Sequence, residues 1–197
     1  MAAKPTATSP LYERKVTCKR DTTLKSATFA QGRQMGKTLI LPVRWNLATA
    51  KPVLGINPAE KLLTNGIRGS LKYSDFEWCS WTNNDSVSFT IDLLKPEVLN
   101  TLTLGCITNN GMAIHKPASV KVEVSDDNSN FREAAMQSFT PEEIFREGNF
   151  IENLPLKLGG TQGRYVRVSA KGPGVCPASH VRSGQVSRIF FDEVMLE

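Results

Sequence analysis

The segment Gly32–Thr38 comes closer than any other part of the chain to a phosphate-binding motif. It reads GRQMGKT, one residue short of the spacing that lets successive backbone N–H groups surround a phosphate. A phosphate-binding loop also joins a strand to a helix, whereas the strand-like run LILPVRW follows this segment. We therefore predict a hairpin turn here and no nucleotide site.

Acidic, histidine and serine residues form no recognisable catalytic pattern. Breaking a glycosidic bond needs two carboxylates that face each other across a cleft, whereas acids adjacent in sequence usually lie in solvated turns. The chain has no Gly-x-Ser-x-Gly elbow, and neither histidine stands in a triad or Cys–His pattern. We expect no catalytic residue, although adjacent acids occur at Asp126-Asp127, Glu142-Glu143 and Asp192-Glu193.

Cysteine and histidine spacing argues against a zinc module. No two cysteines form C-x-x-C, and only two histidines could complete a metal site. The cysteine count fits either two disulfides, in one of three pairings, or four buried thiols. A chain of 197 residues can bury a core without disulfides, which favours thiols. The residues concerned are Cys18, Cys79, Cys106, Cys176, His115 and His180.

Three segments that fall between predicted strands combine aromatic or apolar side chains with polar ones. They are DFEWCSWTNN at residues 75–84, NNGMAIH at 109–115 and CPASHVR at 176–182. Aromatic faces pack on the C–H side of a sugar ring, while His, Arg and Asn hydrogen-bond its hydroxyl groups. The segments predict a binding face, with the alternative that Trp78 and Trp81 are core residues closing one end of a sandwich.

Composition and charge exclude several classes of protein. With 24 Lys plus Arg against 19 Asp plus Glu and 40% hydrophobic residues, the chain has the composition of a globular protein. Its basic residues are interleaved with acidic ones, so we expect no nucleic-acid partner. No apolar run reaches the ~20 residues of a membrane span. The first twenty residues also lack the apolar centre of a signal peptide.

Apolar and polar residues alternate along much of the chain. The alternation is clearest in SVSFTIDLL, TLTLGC, SVKVEVS and YVRVSA, with Gly, Pro and Asn breakers between these runs. The pattern predicts antiparallel strands in an all-β sandwich. Two short connecting helices are expected, because Asn57–Glu60 and Thr140–Glu143 each have the order of an N-cap, a proline and a capping-box glutamate.

Residues 55–195 resemble the galactose-binding-like β-sandwich, a jelly roll also called the coagulation factor 5/8 C-type or discoidin-like domain. The resemblance rests on LLTNGIRGSLKYSDFEWCSW, on PASVKVEVSDDNSNF and GRYVRVSAK, and above all on the ending GVCPASHVRSGQVSRIFFDEV. More narrowly, the chain resembles the version at the end of bacterial family 20 glycoside hydrolases, the β-N-acetylhexosaminidases or chitobiases. Residues 4–38 resemble the second half of the small β module that follows their catalytic barrel.

This resemblance implies three parts. Residues 1–47 would be the partial β module, without its first strand and turn, residues 48–55 a linker, and residues 56–197 the sandwich. The chain is then expected to start inside a module and to lack the catalytic barrel, so it is not itself an enzyme. Its parent would be a hexosaminidase located in the periplasm, at the cell surface or outside the cell.

The resemblance also implies a structural calcium site near the start of the sandwich. Calcium requires oxygen ligands, and Asn65 stands where Asp is usual, which removes one negative charge. The matching positions are the backbone carbonyls around Leu62 and Arg68, together with Asn65, Ser70 and Glu193. No other cofactor is expected.

Sugars bind related domains on loops at one end of the sandwich. Trp is usual in the enzyme-linked relatives where this chain has Ala113, Ser179 and Arg188, so three aromatic platforms are absent. The positions that match the sugar-binding face are Phe76, Trp78, Asn110, His115, His180 and Arg182.

These features predict a carbohydrate-binding accessory region. It would bind glycans containing N-acetylhexosamine or galactose weakly, beside its own upstream catalytic barrel. The alternative is a structural or interaction module that braces or spaces the barrel and has no sugar affinity. Truncation of Trp78 separates them, because a sugar ligand can be removed at little cost in stability whereas a core residue costs ~3–5 kcal/mol.

Overall fold

The computed structural model describes residues 3–13, 16, 18–55, 62–81 and 86–197. The chain divides into two units, Met1–Trp45 and Asn46–Glu197. Among the residues described, no helix is long and apolar enough to cross a membrane.

The first unit contains a β-hairpin formed by β1 (Thr22–Ala30) and β2 (Arg33–Val43). Ala30 pairs with Arg33, so Gln31 and Gly32 form a two-residue loop, and both have positive φ, 49° and 74°. Two such residues are typical of the type I′ turn, whose twist matches that of the strands. The predicted hairpin turn is confirmed, and a strand rather than a helix follows the phosphate-loop-like segment.

The second unit is an antiparallel β-structure, as predicted. The strands are β3 (Val53–Leu54), β4 (Cys79–Trp81), β5 (Ser86–Asn109), β6 (Ser119–Ser125), β7 (Arg132–Ser138), β8 (Asn149–Lys171) and β9 (Ile189–Leu196). They hydrogen-bond in the order β4-β9-β5-β8-β6-β7, with β3 paired to β5. A 3₁₀ turn occupies Asn110–Met112 and helix α1 spans Pro141–Ile144.

The core follows the predicted alternation. In β6, for example, Val120, Val122 and Val124 are fully buried, whereas the residue before each of them is only partly buried. One apolar cluster combines side chains of β5, β6, β8 and β9, and each fully buried aliphatic side chain contributes ~1.5–3 kcal/mol. None of the four cysteines, all of which lie in the described part of the chain, forms a disulfide. The core is therefore sufficient without crosslinks.

Strands β5 and β8 run through positions that the sequence pattern treats as breaks. Their register shifts between Asp92 and Glu97, where Lys95 and Pro96 lie, but pairing resumes beyond the shift. Leu94, at φ 71°, donates its N–H to Asp92 at 2.8 Å. Arg164 of β8 holds the same carboxylate with two bonds of 2.7 and 2.8 Å. The proline thus marks a bulge inside one long strand.

The predicted linker at residues 48–55 is wrong, because this segment belongs to the sandwich. Ala48 is fully buried in the main core, and Leu47 donates its N–H to the Leu196 carbonyl at 3.0 Å. Strand β3 adds to the sheet through β5. The boundary between the units falls after Trp45, two residues before the predicted one.

The two predicted helices have different outcomes. Asn57–Glu60 lies outside the described residues. At Thr140 the capping box is confirmed: the Thr140 hydroxyl accepts from the Glu143 N–H at 3.3 Å, and the Glu143 carboxylate accepts from the Thr140 N–H at 2.7 Å.

Candidate functional site

A pocket of about 400 Å³ lies among loops of the second unit. Its walls come from the end of β5, from the segment that joins α1 to β8, and from the loop between β8 and β9. Two of the three segments in which the sequence pattern predicted a binding face, 109–115 and 176–182, contribute to these walls, whereas the segment at 75–84 does not. The lining residues are Asn110, Phe145, Glu147, Gly148, Pro177, Ser179, His180 and Val181.

Backbone hydrogen bonds fix two walls of this pocket. Phe145 directly follows α1 and donates its N–H to the Pro141 carbonyl at 2.9 Å. Asn110 donates its N–H to the Gly148 carbonyl at 3.2 Å. Because α1 is a single turn, its capping box is a main local reason for Phe145 to stay in place.

Two buried polar atoms in the pocket residues have no partner among the described residues: Oδ1 of Asn110 and Nε2 of His180. His180 accepts the Arg182 N–H at Nδ1, at 3.0 Å, so a neutral ring carries its proton on Nε2. Both residues line the pocket, and their unpaired atoms are one acceptor and one donor near an aromatic ring. Leaving such atoms unpaired costs about 1–3 kcal/mol each, which a ligand hydroxyl would recover.

His115 packs next to Phe145 and His180 and is fully buried. Its ring centre is 4.9 Å from that of His180 and 5.1 Å from that of Phe145. Burial, with a smaller effect of His180, lowers the pKa of His115 to about 4. The Ile144 carbonyl opposes this shift, but neither ring nitrogen makes a hydrogen bond of normal geometry. The prediction that His115 contacts a sugar is corrected, because none of its surface is exposed.

Trp78 is also corrected, from a sugar platform to a core residue. It is 7% exposed and packs in a small cluster with Ile107, Ile114 and Phe190. Its indole N–H donates to the Ser70 carbonyl at 3.0 Å. Trp81 packs on Phe191, with ring centres 5.5 Å apart. The structure therefore favours the alternative interpretation of both tryptophans, as core residues that close one end of the sandwich.

Phe76 and Arg182, the remaining predicted sugar ligands, are not among the residues that line the pocket. Phe76 is 91% exposed. Arg182 donates from Nε to the Gly111 carbonyl at 2.7 Å, which ties the β8–β9 loop to the 3₁₀ turn beside Asn110. Of the predicted set, the structure places Asn110 and His180 in the pocket and gives Arg182 a positioning role.

Phe145 was missed by sequence reasoning, because the segment around it was interpreted only as a connection. The signal was present in the Thr140 capping box, because the single turn that it starts ends directly before Phe145. Ala113 and Arg188 stand where Trp is usual in the enzyme-linked relatives. Ala113 is buried and has a left-handed backbone conformation with φ 51°. The Arg188 side chain donates to the Met112 carbonyl at 2.6 Å.

Cys176 is a free, buried thiol, as expected, but its neighbourhood was not predicted. Its sulfur and one nitrogen each of His115 and His180 lie within 4.8 Å of one another. The fold thus brings together donors from two distant parts of the chain, which the spacing argument did not consider. The four-residue interval from Cys176 to His180, in CPASH, was the available signal.

Glu193, from the predicted calcium set, is fully buried. Its Oε2 accepts the Gly66 N–H at 3.0 Å. The Asn46 side chain lies near enough to lower the Glu193 pKa, but Oε1 makes no hydrogen bond of normal geometry to the described residues. Burial, helped by the nearby Asp192 carboxylate, raises the pKa of Glu193 to about 9. A buried carboxylate oxygen without such a bond fits a hard cation.

Other members of the predicted calcium set have further contacts. Asn65 accepts the Ile67 N–H at 2.8 Å and donates to Glu77 at 2.7 Å. The Ser70 carbonyl accepts from Trp78, and the Leu62 carbonyl accepts the Asn65 N–H at 3.2 Å. The Arg68 side chain binds Asp192 at 2.7 Å, so only its carbonyl could be a ligand.

The second unit is similar in fold to solved structures of low sequence identity. The module CpGH89CBM32-6 produced by Clostridium perfringens is 17% identical, with a TM-score of 0.50 over 78% of this chain and 98% of that one. Chitosan-binding module 1 of a chitosanase/glucanase from Paenibacillus sp. IK-5 is 15% identical, with a TM-score of 0.50 over 78% and 99%. These identities show the fold alone.

The C-terminal domain of a chitobiase from Bacteroides fragilis is 16% identical, with a TM-score of 0.40 over 70% of this chain and 78% of that one. A score at this level carries no argument about the parent of the chain.

Comparison with curated proteins finds no match. The family model described as F5/8 type C domain matches residues 52–182. This range covers β3 to the pocket loop, including Asn110, Phe145 and His180, and it spans well over half of the chain. The sandwich fold and the sequence match agree, and the chain belongs to the F5/8 type C domain family.

Proposed function

We propose that the second unit is a non-catalytic carbohydrate-binding module and that its ligand occupies the pocket lined by Asn110, Phe145 and His180. The observation that carries this proposal is the pair of unpartnered buried atoms, Asn110 Oδ1 and His180 Nε2. One accepts and the other donates, as a sugar hydroxyl group also can. The Phe145 ring supplies apolar area for the C–H face of a sugar. The fold neighbours named for carbohydrate or chitosan binding support the same class of ligand.

The finer proposal is that the glycan contains N-acetylhexosamine or galactose. One shallow site with few polar contacts binds weakly by itself. Attachment to an enzyme that acts on polymeric or clustered glycans would raise its avidity. We propose such a parent, a bacterial β-N-acetylhexosaminidase whose barrel precedes this chain, in the periplasm, at the cell surface or outside the cell. The support for this parent is the sequence resemblance described above.

A structural or interaction module without sugar affinity is the second candidate. The observation that favours it is the burial of Trp78 and His115, together with Ala113, Ser179 and Arg188 at positions where Trp is usual. A glycan panel decides between the two candidates.

The experiment measures binding of the full chain to glycans that contain GlcNAc, GalNAc or galactose, with and without Ca²⁺. We expect selective binding that falls about tenfold or more in Asn110→Ala and His180→Gln, because each leaves a ligand hydroxyl unpaired. Phe76→Ala is the matched control, because the Phe76 side chain is exposed and is not among the residues that line the pocket. Binding absent at high protein concentration, with the protein folded, would favour the structural module.

A structural calcium ion is a further proposal. Glu193 would hold it through Oε1, with Asn65 and the carbonyls of Leu62, Arg68 and Ser70 as the remaining oxygen ligands. When bound, the ion supplies positive charge that offsets the buried carboxylate. Gly66 N–H keeps the other Glu193 oxygen in place.

A further inference from the structure

We propose that His115, Cys176 and His180 form a binding site for a first-row transition-metal ion such as Zn²⁺. Their ligand atoms lie within 4.8 Å of one another. This site is separate from the oxygen-rich group around Glu193, and it goes beyond glycan binding.

The donor types select the metal. One thiolate and two imidazoles are ligands for Zn²⁺, Co²⁺ or Ni²⁺, whereas Ca²⁺ and Mg²⁺ require oxygen. Three protein ligands leave one position of a tetrahedral site for water or another small ligand. Among the described residues, this is the one group of three or more His, Cys, Asp or Glu donors that lie this close together.

The unpartnered imidazole of His115 is independent support. The side chain is fully buried, yet neither ring nitrogen makes a hydrogen bond of normal geometry. Buried histidines normally pair both nitrogens, because an unpaired polar atom in a low-dielectric interior costs about 1–3 kcal/mol. Coordination would satisfy one nitrogen and explain why a polar ring occupies this position.

The backbone holds the two halves of the site in register. His115 donates its N–H to the Arg188 carbonyl at 3.0 Å, and Cys176 donates its N–H to the Gln185 carbonyl at 2.9 Å. The Ser187 hydroxyl lies 3.4 Å from the Cys176 sulfur, where it can donate to a thiolate. Ligands around Zn²⁺ lie about 3.4–3.8 Å apart, given bonds of about 2.0–2.3 Å. The side chains therefore need to close by about 1 Å.

Metal binding has a defined proton balance. Cys176 loses its thiol proton. His180 uses Nδ1 to accept from the Arg182 N–H. A neutral His180 that ligates through Nε2 carries its proton on Nδ1, and one that ligates through Nδ1 keeps its proton on Nε2, so either mode of ligation replaces that hydrogen bond. His180 also donates from Nε2 in the proposed glycan complex. A metal ion and a glycan hydroxyl group therefore compete for His180.

The test is a Co²⁺ titration of the reduced, chelator-treated, tag-free full chain without glycan. We expect one equivalent to bind, with the thiolate-to-cobalt charge-transfer absorption of a Cys-ligated site, and Zn²⁺ to displace it. Cys176→Ser should abolish the charge-transfer band and His115→Gln should weaken Co²⁺ binding at least tenfold. Cys18→Ser is the matched control and should bind as the unsubstituted protein does, because Cys18 lies in the other unit.

Two outcomes would overturn the proposal: no saturable binding by the unsubstituted protein, or a charge-transfer band that survives in Cys176→Ser. If either buried substitution prevents folding, X-ray absorption of the Zn²⁺-loaded unsubstituted protein decides. One sulfur and two imidazole nitrogens support the site, and a shell without sulfur refutes it. The measurement contains no glycan, so its failure is distinguishable from failure of the proposed carbohydrate binding.

Discussion

Trp78 shows how a residue can have the right type for sugar binding and still belong to the core. Its indole packs against Gly69, where an added Cβ would collide with the ring, and its N–H is bonded to the Ser70 carbonyl. We therefore expect Trp78→Ala to lower the free energy of unfolding by about 3–5 kcal/mol. Urea denaturation followed by circular dichroism measures this change.

Phe76→Ala is the control for Trp78, two residues away in the same loop. Phe76 is 91% exposed, so its truncation should change the stability by less than about 0.5 kcal/mol. Equal stability of the two variants would show that Trp78 does not close the sandwich.

Glu193 makes the stability depend on pH in a direction opposite to that of a paired carboxylate. Burial raises its pKa in the folded protein to about 9, so the folded state keeps a proton that the unfolded state releases. The contribution is full below the unfolded pKa and is lost as pH rises toward the folded pKa. In calcium-free buffer, we expect the free energy of unfolding to fall by up to about 1.4 kcal/mol per pH unit.

The window between about pH 7 and 8 isolates Glu193. His115, with a depressed pKa, contributes below about pH 6.5 and with the opposite sign. The Cys106 thiol, whose pKa is raised by burial, contributes with the same sign as Glu193 only above about pH 8. Urea midpoints in this window should fall in the unsubstituted protein and stay level in Glu193→Gln. Saturating Ca²⁺ should flatten the unsubstituted profile. A slope that is the same in Glu193→Gln would assign the pH dependence to another group.

Residue types could predict part of the candidate site. They indicated the segments 109–115 and 176–182, because Asn and His in loops are typical hydroxyl-binding residues. The family resemblance then selected Asn110 and His180 within them. Trp78 and His115 were misplaced because burial depends on which strands close over a loop, and sequence alternation in a loop carries no such signal. The proximity of His115 to Cys176 and His180 was not predicted, because spacing along the chain says little about distance across a sandwich.

At the scale of elements, the single turn α1 is the clearest link between a local motif and the pocket. The Thr140 capping box joins the Thr140 and Glu143 side chains to the first backbone N–H groups, and the turn ends at Phe145. We expect Thr140→Ala to cost about 1 kcal/mol. Amide hydrogen exchange of Ile144 and Phe145 should accelerate, since both N–H groups donate within this turn.

Thr140→Ser keeps the capping hydroxyl group and is the control for this change. Its exchange rates at Ile144 and Phe145 should match those of the unsubstituted protein. Unchanged exchange in Thr140→Ala would mean that tertiary packing, and not the cap, holds Phe145.

The strands were predicted more accurately than their ends. Period-two alternation places Val120, Val122 and Val124 on the core face, and they are fully buried. The Lys95-Pro96 break was expected to end a strand, but the Asp92–Arg164 pair bridges the bulge and lets β5 continue. That pair joins residues 72 positions apart, which local sequence cannot reveal.

At the scale of the whole molecule, the two units differ in how much core they contain. The first has a two-stranded hairpin with exposed apolar side chains, among them Met35, Leu39 and Ile40. A two-stranded sheet is marginal in water by itself. The second holds the multi-strand core. We therefore expect the second unit to fold without the first.

The boundary at Asn46 gives the sharpest test of this division. Asn46 Oδ1 accepts the N–H groups of Ala48 at 2.8 Å and Leu196 at 3.2 Å, so this residue secures the end of β9. A fragment of residues 46–197 should show one cooperative unfolding transition and dispersed amide resonances. A fragment of residues 56–197, which starts at the boundary expected from sequence, loses buried Ala48 and β3. It should unfold at a clearly lower urea concentration, because removing a paired strand and a buried residue exposes the core. Equal midpoints for the two fragments would restore residues 48–55 to the role of a linker.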